Sequence, residues 1–329
     1  MNYGLPYKGS KNRIAKKILD ILPAAPVLYD VFCGGCAITH AALLSGKYSR
    51  VVANDINGMI PAAFEKAIRG GFRNEDRWIS RDDFQKLYKT DPCVAICFSF
   101  GNNLRWYCYA RDLEPYKRAL HYAIFWRDFA PWRELCPETA DALAAGLAPI
   151  EDRQQRRVQA GRFIVESLKS QLAAEMLTPD ILDKPIYRQI RRPKDTPHSL
   201  QSLESLERLE RLERLESLER LERFQSLESL PDTLTVYSMD YREMRFDEPG
   251  IIYCDPPYKN TRQYHTVGTF DFEAFYSWCE HQANPVFISE YTMPEDRFVP
   301  VAAFTVTRKM DARKSSICPE KIWRPRIQL

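Results

Sequence analysis

Residues 26–55 read PVLYDVFCGGCAITHAALLSGKYSRVVAND, and the fold turns on how this stretch divides. The run 27–32 (VLYDVF) is short, apolar and β-rich, with Pro26 before it and Gly34-Gly35 after it, which predicts a buried strand and its turn. Residues 37–44 read as a helix, and 50–54 (RVVAN) as a second strand ending in Asp55. Upstream, a basic loop, YKGSK (7–11), leads into an amphipathic helix over 11–22 that Pro23 closes. Downstream, another helix precedes 94–100 (VAICFSF), which reads as a third strand. Strand, helix, strand, helix, strand predicts a parallel α/β sheet.

The pattern changes after residue 103. Residues 104–135 are crowded with aromatic and basic side chains, among them Arg105, Trp106, Tyr107, Arg111, Lys117, Trp126 and Trp132. Helical stretches follow at 138–146 and 151–176, then a basic segment with Arg188, Arg191, Arg192 and Lys194. No β/α alternation is visible here, so this part reads as a mostly helical insertion. Alternation resumes at 234–238 (LTVYS), 250–254 (GIIYC) and 286–289, and a β-rich region spans 299–326.

Between these lies a repeat, 200–230, with Leu or Phe at every third position. Period three fits neither helix nor strand, and on a helix its apolar stripe would wander around the axis. Leu, Glu and Arg nevertheless favour helix, and Glu-to-Arg pairs four residues apart, such as Glu216 and Arg220, support it. Thr196-Pro197 reads as a helix start and Pro231 as its end, and the wandering stripe suits a helix touching several neighbours, or one that breaks near Ser217. The repeat reads as a structural spacer, or as a surface for a partner or self-association. Four segments result: 1–103, 104–198, 199–231 and 232–329.

Composition excludes several classes. With 45% hydrophobic and 28% charged residues among 329, the chain reads as globular rather than disordered. No apolar run approaches the roughly 18 residues of a membrane span, and the first residues lack the apolar core of a leader. Nine cysteines then read as reduced thiols in a cytoplasmic setting. No second C-x-x-C accompanies Cys33 and Cys36, and the five His are scattered, so no metal site is expected. The repeat holds eight Glu against five Arg, so the rest of the chain is more basic than the total of +3 suggests. A polyanion partner is compatible with that balance.

Three motifs carry chemistry. Asp255-Pro256-Pro257-Tyr258 follows an apolar strand directly. Its two prolines remove backbone donors and fix φ, which makes a rigid turn holding a carboxylate and an aromatic ring at a set separation. Phe32-Cys33-Gly34-Gly35-Cys36 lies at the first strand-to-helix turn, where glycines let a ligand approach the backbone. Asp55 ends the second strand, near the ~20-residue spacing at which an acid meets ribose hydroxyls. Each is weak alone. In this order on successive strands they specify a pocket for an adenosine-type cofactor. A redox reading of Cys33 and Cys36 would leave the proline turn unexplained.

The chain here resembles the Dam-like, class α DNA adenine methyltransferases, over nearly all its length except the repeat. YKGSK looks like the family's first cofactor motif, DVFCGGCA like its F-x-G-x-G motif, NDIN like its acidic ribose motif, CDPPY like its catalytic motif and EKIWRP like its last strand. Cys36 stands where the second glycine of F-x-G-x-G usually falls. The resemblance implies a Rossmann-like, doubly wound sheet, with a helical target-recognition insertion and S-adenosylmethionine as cofactor. It implies that Tyr7, Lys11, Phe32, Gly34, Gly35, Asp55 and Asp255 bind the cofactor, and that Asp255, Pro256 and Tyr258 hold an adenine flipped out of double-stranded DNA. Reaching a base requires flipping it and gripping the DNA, for which Arg105, Arg111, Lys117, Arg188 and Arg192 are the candidates. Methylation of cytosine N4 or another amine, and a DNA-binding module without catalysis, remain as alternatives.

Overall fold

The computed structural model describes residues 3–174, 215–225, 227, 233–258, 270–311 and 314–329. The chain divides into two compact units, Met1–Arg73 with Phe224–Leu329, and Asn74–Arg223.

The first unit is a sheet flanked by helices. Its strands are β1 (Val27–Asp30), β2 (Arg50–Asn54), β3 (Leu234–Tyr237), β4 (Gly250–Cys254), β5 (Val286–Glu290), β6 (Phe298–Asp311) and β7 (Lys314–Pro325). They lie in the order β3-β2-β1-β4-β5-β7-β6. The first five run parallel, and β7 is antiparallel to both of its neighbours. Every residue of β1, β4 and β5 is buried, as parallel strands covered on both faces require. Pro300, which has no donor for a ladder, falls on edge strand β6 at a register shift. The helices are α1 (Ala15–Ile21), α2 (Ala37–Ser45), α3 (Met59–Ile68) and, later in the chain, Phe272–Glu280. One core joins Tyr29, Val31, Ile252, Phe275, Ile288 and Trp323.

The second unit is helical: α4 (Arg81–Leu87), α5 (Pro92–Cys97), α6 (Glu114–Trp126), α7 (Ala130–Leu135), α8 (Pro137–Leu147), α9 (Arg153–Ala174) and most of α10 (Glu216–Gln225). The helix Phe272–Glu280 of the first unit is α11. Leu120, Ile124, Trp132, Leu143, Ile164, Leu215 and Leu218 share the second unit's core. Among the described residues no helix is long and apolar enough to cross a membrane.

Two expectations change. Residues 94–100 do not form a third strand: most of this run is helix α5, because Asp91 accepts hydrogen bonds from the Cys93 and Val94 N–H groups and Pro92 opens the first turn. The compact-unit boundary accordingly falls at 73/74 rather than 103/104, and α4 and α5 sit with the helical unit. At the described end of the repeat, Leu215, Leu218, Leu221, Phe224 and Leu227 are all buried, and Ser217 lies in the first turn of α10, bonded to the Tyr109 hydroxyl. The remainder of the repeat, with Thr196, Pro197 and Pro231, lies outside the described residues.

Candidate active site

In open α/β sheets ligands bind beyond the carboxyl ends of the strands, at the point where strand order reverses. Here β1 leads outward to β2 and β3 on one side, and to β4 and β5 on the other. The register pairs Asp30 with Tyr253 and Ala53 with Asp30, so the turns after β1, β2 and β4 emerge side by side. Those turns carry the glycine motif, Asp55 and the Asp255–Tyr258 motif.

Hydrogen bonds lock the turns together. Asn54, buried at the end of β2, donates to the carbonyls of Val31 (3.1 Å) and Met239 (3.2 Å), and its Oδ1 accepts from the Met239 N–H. Asp55 Oδ2 accepts from the Gly34 N–H at 2.9 Å and its Oδ1 from the Asn57 N–H at 2.8 Å. Burial pushes the Asp55 carboxyl above its ordinary range. Asp30 accepts from the Thr39 N–H (3.1 Å) and hydroxyl (2.6 Å), tying β1 to α2, while burial drives its carboxyl up to about 7.

The glycines are required by contact. A β-carbon at Gly35 would come within 2.6 Å of the Tyr7 Cβ and 2.9 Å of the Leu5 carbonyl oxygen. Tyr7 thus lies directly on the turn. Cys36 is left-handed, at φ 59° and ψ 33°, a conformation that glycine adopts without steric penalty and that other L-residues take at about 1–2 kcal/mol. That explains why a glycine suits this position, and the thiol that replaces it is fully buried, 3.7 Å from the Cys33 sulfur. Burial raises both thiols above their ordinary range, which disfavours thiolate chemistry. Phe32 points into the aromatic cluster of Tyr241, Phe270 and Phe275.

Beyond β4, the prolines hold Asp255 and Tyr258 at a cluster of charges. Lys11 Nζ lies 2.7 Å from Asp255 Oδ1, 2.6 Å from Oδ2 and 3.3 Å from Glu320 Oε1. It also sits 4.8 Å from the Tyr258 ring centre. The Tyr258 hydroxyl donates to Glu320 Oε1, which also accepts from the Ser289 hydroxyl at 2.6 Å. Tyr291 meets the Tyr258 ring edge-on at 4.6 Å. Burial opposes the Lys11 ammonium, but Asp255 and Glu320 outweigh it and hold the group above the ordinary lysine range. Burial raises Asp255, Lys11 pulls it back and Glu320 adds to the rise, leaving it above the ordinary carboxylate range. Tyr258, raised by burial and both carboxylates, stays a neutral donor. Asp255 keeps 19% of its side chain exposed, against 7% for Lys11 and 4% for Glu320, so the carboxylate is the open face of the cluster.

The segment from Tyr7 to Lys11 therefore spans both halves, Tyr7 on the glycine turn and Lys11 on the proline turn. Sequence reasoning placed Lys11 beside a cofactor and did not pair it with Asp255. It also missed Glu320 and Ser289. The one available signal was a Glu heading the apolar end of a strand, in Glu320-Lys321-Ile322-Trp323.

In the helical unit, Arg105 and Arg111 are exposed, as is Trp106 at 68%. Lys117 is not on this surface. It is buried, its ammonium 5.5 Å from the Tyr109 ring centre, because α6 turns that face toward the unit's core. Arg188 and Arg192 lie outside the described residues.

No curated protein matches the chain. A family model does, over residues 7–90, which hold Tyr7, Lys11, the glycine turn and Asp55 but not the Asp255–Tyr258 turn. That model describes the D12 class N6 adenine-specific DNA methyltransferases, to which residues 7–90 are similar.

Proposed function

We propose that this chain transfers a methyl group to the N6 amino group of an adenine flipped out of double-stranded DNA. The observation that carries the reading is the partly exposed Asp255 carboxylate, fixed by Lys11 beside the glycine turn at the carboxyl ends of β1 and β4. The strand order, with antiparallel β7 between β5 and β6, is consistent with a methyltransferase-like sheet.

Likeness to the D12 class methyltransferases over residues 7–90 implies dependence on S-adenosylmethionine, and the residues present fit it. Where a β-carbon at Gly35 would collide with backbone, the turn is stripped to its main chain, and each Asp55 oxygen retains a second lone pair for a ribose hydroxyl. Tyr7, Gly34, Gly35 and Asp55 would hold the cofactor, which supplies an electrophilic methyl group when bound. Phe32 supports the turn from the core side.

An adenine amino nitrogen is a poor nucleophile because its lone pair is delocalised into the ring. Asp255 and a backbone carbonyl of the proline turn would accept its two N–H bonds, localising the lone pair and stabilising the positive charge that develops. Pro256 fixes that carbonyl. Tyr258 offers its ring to the flipped base. The helical unit, with exposed Arg105, Arg111 and Trp106, supplies a basic and aromatic surface for DNA.

The test is direct. The protein is incubated with S-adenosylmethionine and unmethylated DNA, and the digested nucleosides are identified by mass spectrometry, with Asp255→Ala as control. N6-methyladenine that disappears in the variant supports the reading. Methylcytosine would keep the chemistry and overturn the substrate. Cofactor binding with no modified base would overturn the enzyme.

A further inference from the structure

Glu320 lies 62 residues beyond Tyr258 in the sequence, on β7, the strand antiparallel to its neighbours. It is buried, yet three donors converge on its Oε1: the Tyr258 hydroxyl, the Ser289 hydroxyl at 2.6 Å and the Lys11 ammonium at 3.3 Å. A buried carboxylate is retained only where its hydrogen bonds are met, and these donors come from three separate parts of the chain. Two of the three are themselves tied to the reacting turn. We infer that Glu320 is a positioning residue, which fixes the Tyr258 ring through its hydroxyl and keeps the Lys11 ammonium seated against Asp255.

Physical consequences follow from the arrangement. A tyrosine ring held only by the proline turn would rotate about its side-chain bonds, and any stacking on a flipped base would then require ordering it at each turnover. Anchoring the hydroxyl to β7 makes the ring part of the sheet. Lys11 in turn shares one positive charge between two carboxylates, so the cluster keeps an excess of negative charge in a largely buried place. That excess favours the positive charge developing on a bound amine. Ser289, at the end of β5, locks Glu320 from the other side.

The inference rests on the adenine-methylation reading, and its test separates the two. Glu320→Gln keeps an oxygen acceptor for Tyr258 and Ser289 and removes the charge. Tyr258→Phe keeps the ring and removes the hydroxyl. Asp255 is faced by Lys11 from the N-terminal segment, Glu320 from β7, Tyr258 from its own turn, Tyr253 and Cys254 from β4, and Asp30 from β1. Removing the Glu320 charge takes away a neighbour that raises Asp255 and leaves Lys11 to it alone.

The Asp255 carboxyl is therefore followed by 13C NMR in the wild-type protein and in Glu320→Gln, with Asp255→Asn to assign the signal and no cofactor or DNA present. A shift to lower pH in Glu320→Gln is expected, and an unmoved titration overturns the inference whether or not the protein methylates. In the methylation assay, Tyr258→Phe is expected to lower kcat about tenfold with little change in KM for S-adenosylmethionine. The double variant Tyr258→Phe/Glu320→Gln is expected to lose less than the product of the two single losses, because Tyr258→Phe removes, and Glu320→Gln weakens, the same charge-assisted contact. Strictly multiplicative losses overturn the inference. A wild-type protein that makes no N6-methyladenine, alongside the shifted Asp255 titration, would sink the functional reading and leave the Glu320 arrangement standing.

Discussion

Both units bury charge, and they do so in opposite ways. In the helical unit Arg156 donates to the carbonyls of Ile124 (2.6 Å), Ile150 (2.8 Å) and Glu151 (3.1 Å). Arg220 does the same to the carbonyls of Cys97 (3.0 Å) and Ser99 (2.6 Å). Two of these carbonyls, Ile124 and Cys97, lie in the last turns of α6 and α5, where backbone acceptors are left over, and the others lie in the loops that follow α5 and α8. In the sheet unit Lys11, Asp255, Glu320 and Tyr258 meet one another through side chains. A guanidinium buried among backbone carbonyls is not presented to a ligand. A carboxylate held by an ammonium, and still partly exposed, is. What a buried charge touches, rather than its burial, separates scaffold from site.

The sharpest break in this comparison is expected from Asp255→Asn. It leaves Lys11 matched with Glu320, one charge each, so thermal stability should change little. Methylation should fall by a factor of at least ~10², since an amide accepts the substrate proton poorly. An activity loss accompanied by an equal collapse in stability would make Asp255 scaffold like the arginines. Activity should also fall on the acid side, because the raised Asp255 carboxyl must be ionised to accept a hydrogen bond from the amine; a rate profile flat down to pH 5 would count against that role.

Arg220→Ala is the mirror experiment. It strands two buried carbonyls and the Glu216 carboxylate that lies 3.0 Å from the guanidinium. Urea unfolding should show a loss of about 3 kcal/mol. The Asp255 titration in the folded protein should not move.

Asp30 tests whether the sheet unit also holds a charge for scaffold reasons. Its carboxyl, raised to about 7 by burial, binds its proton more tightly in the folded than in the unfolded chain. Its contribution to stability is therefore whole only below the unfolded value of ~3.9 and is lost as pH rises from there through 7, with roughly 2–3 kcal/mol going between pH 5 and pH 8. Asp30→Asn should flatten that loss, read as the difference in urea unfolding between pH 5 and pH 8. An unchanged pH dependence would show that Thr39 holds an ionised carboxylate at no penalty.

Within the helical unit, the contrast lies between its surface and its interior. Arg105→Ala and Arg111→Ala should each lower the slope of log affinity for DNA against log salt by about one. Lys117→Met should leave the slope unchanged, because the buried ammonium meets no phosphate. A reduced slope in Lys117→Met would return that residue to the DNA surface.

How much of this was legible depended on the range of the signal. The glycine turn, Asp55 and the proline turn are local: strand, turn residues and helix follow one another within a few positions, and backbone geometry fixes what they do. The Lys11–Asp255 contact joins residues 244 apart, and Glu320 reaches Tyr258 across 62. No periodicity in the chain encodes such pairings, because the sheet's strand order creates them. Cys36 was visible as a departure from a glycine pattern, but its positive φ was not.

Residues 94–100 failed for a different reason. A short apolar run has no period that separates a buried strand from a buried helix, so its flanks must decide. The flank here is Asp91-Pro92, a cap residue before a helix-opening proline, whose side chain takes the Cys93 and Val94 N–H groups at 3.0 and 3.2 Å. Reading the run as a strand placed it in the sheet and pushed the boundary to 103. Asp91→Ala should then cost about 1 kcal/mol in urea unfolding, the usual value of an N-cap, without altering the product of the methylation assay. Asp91 also pairs with Arg77 at 2.9 Å, an exposed contact that adds little, so Arg77→Ala provides the control. Equal losses in the two variants would assign the effect to the ion pair. A loss in Asp91→Ala alone would assign it to the cap, the single feature that turns this stretch from a strand of the first unit into a helix of the second.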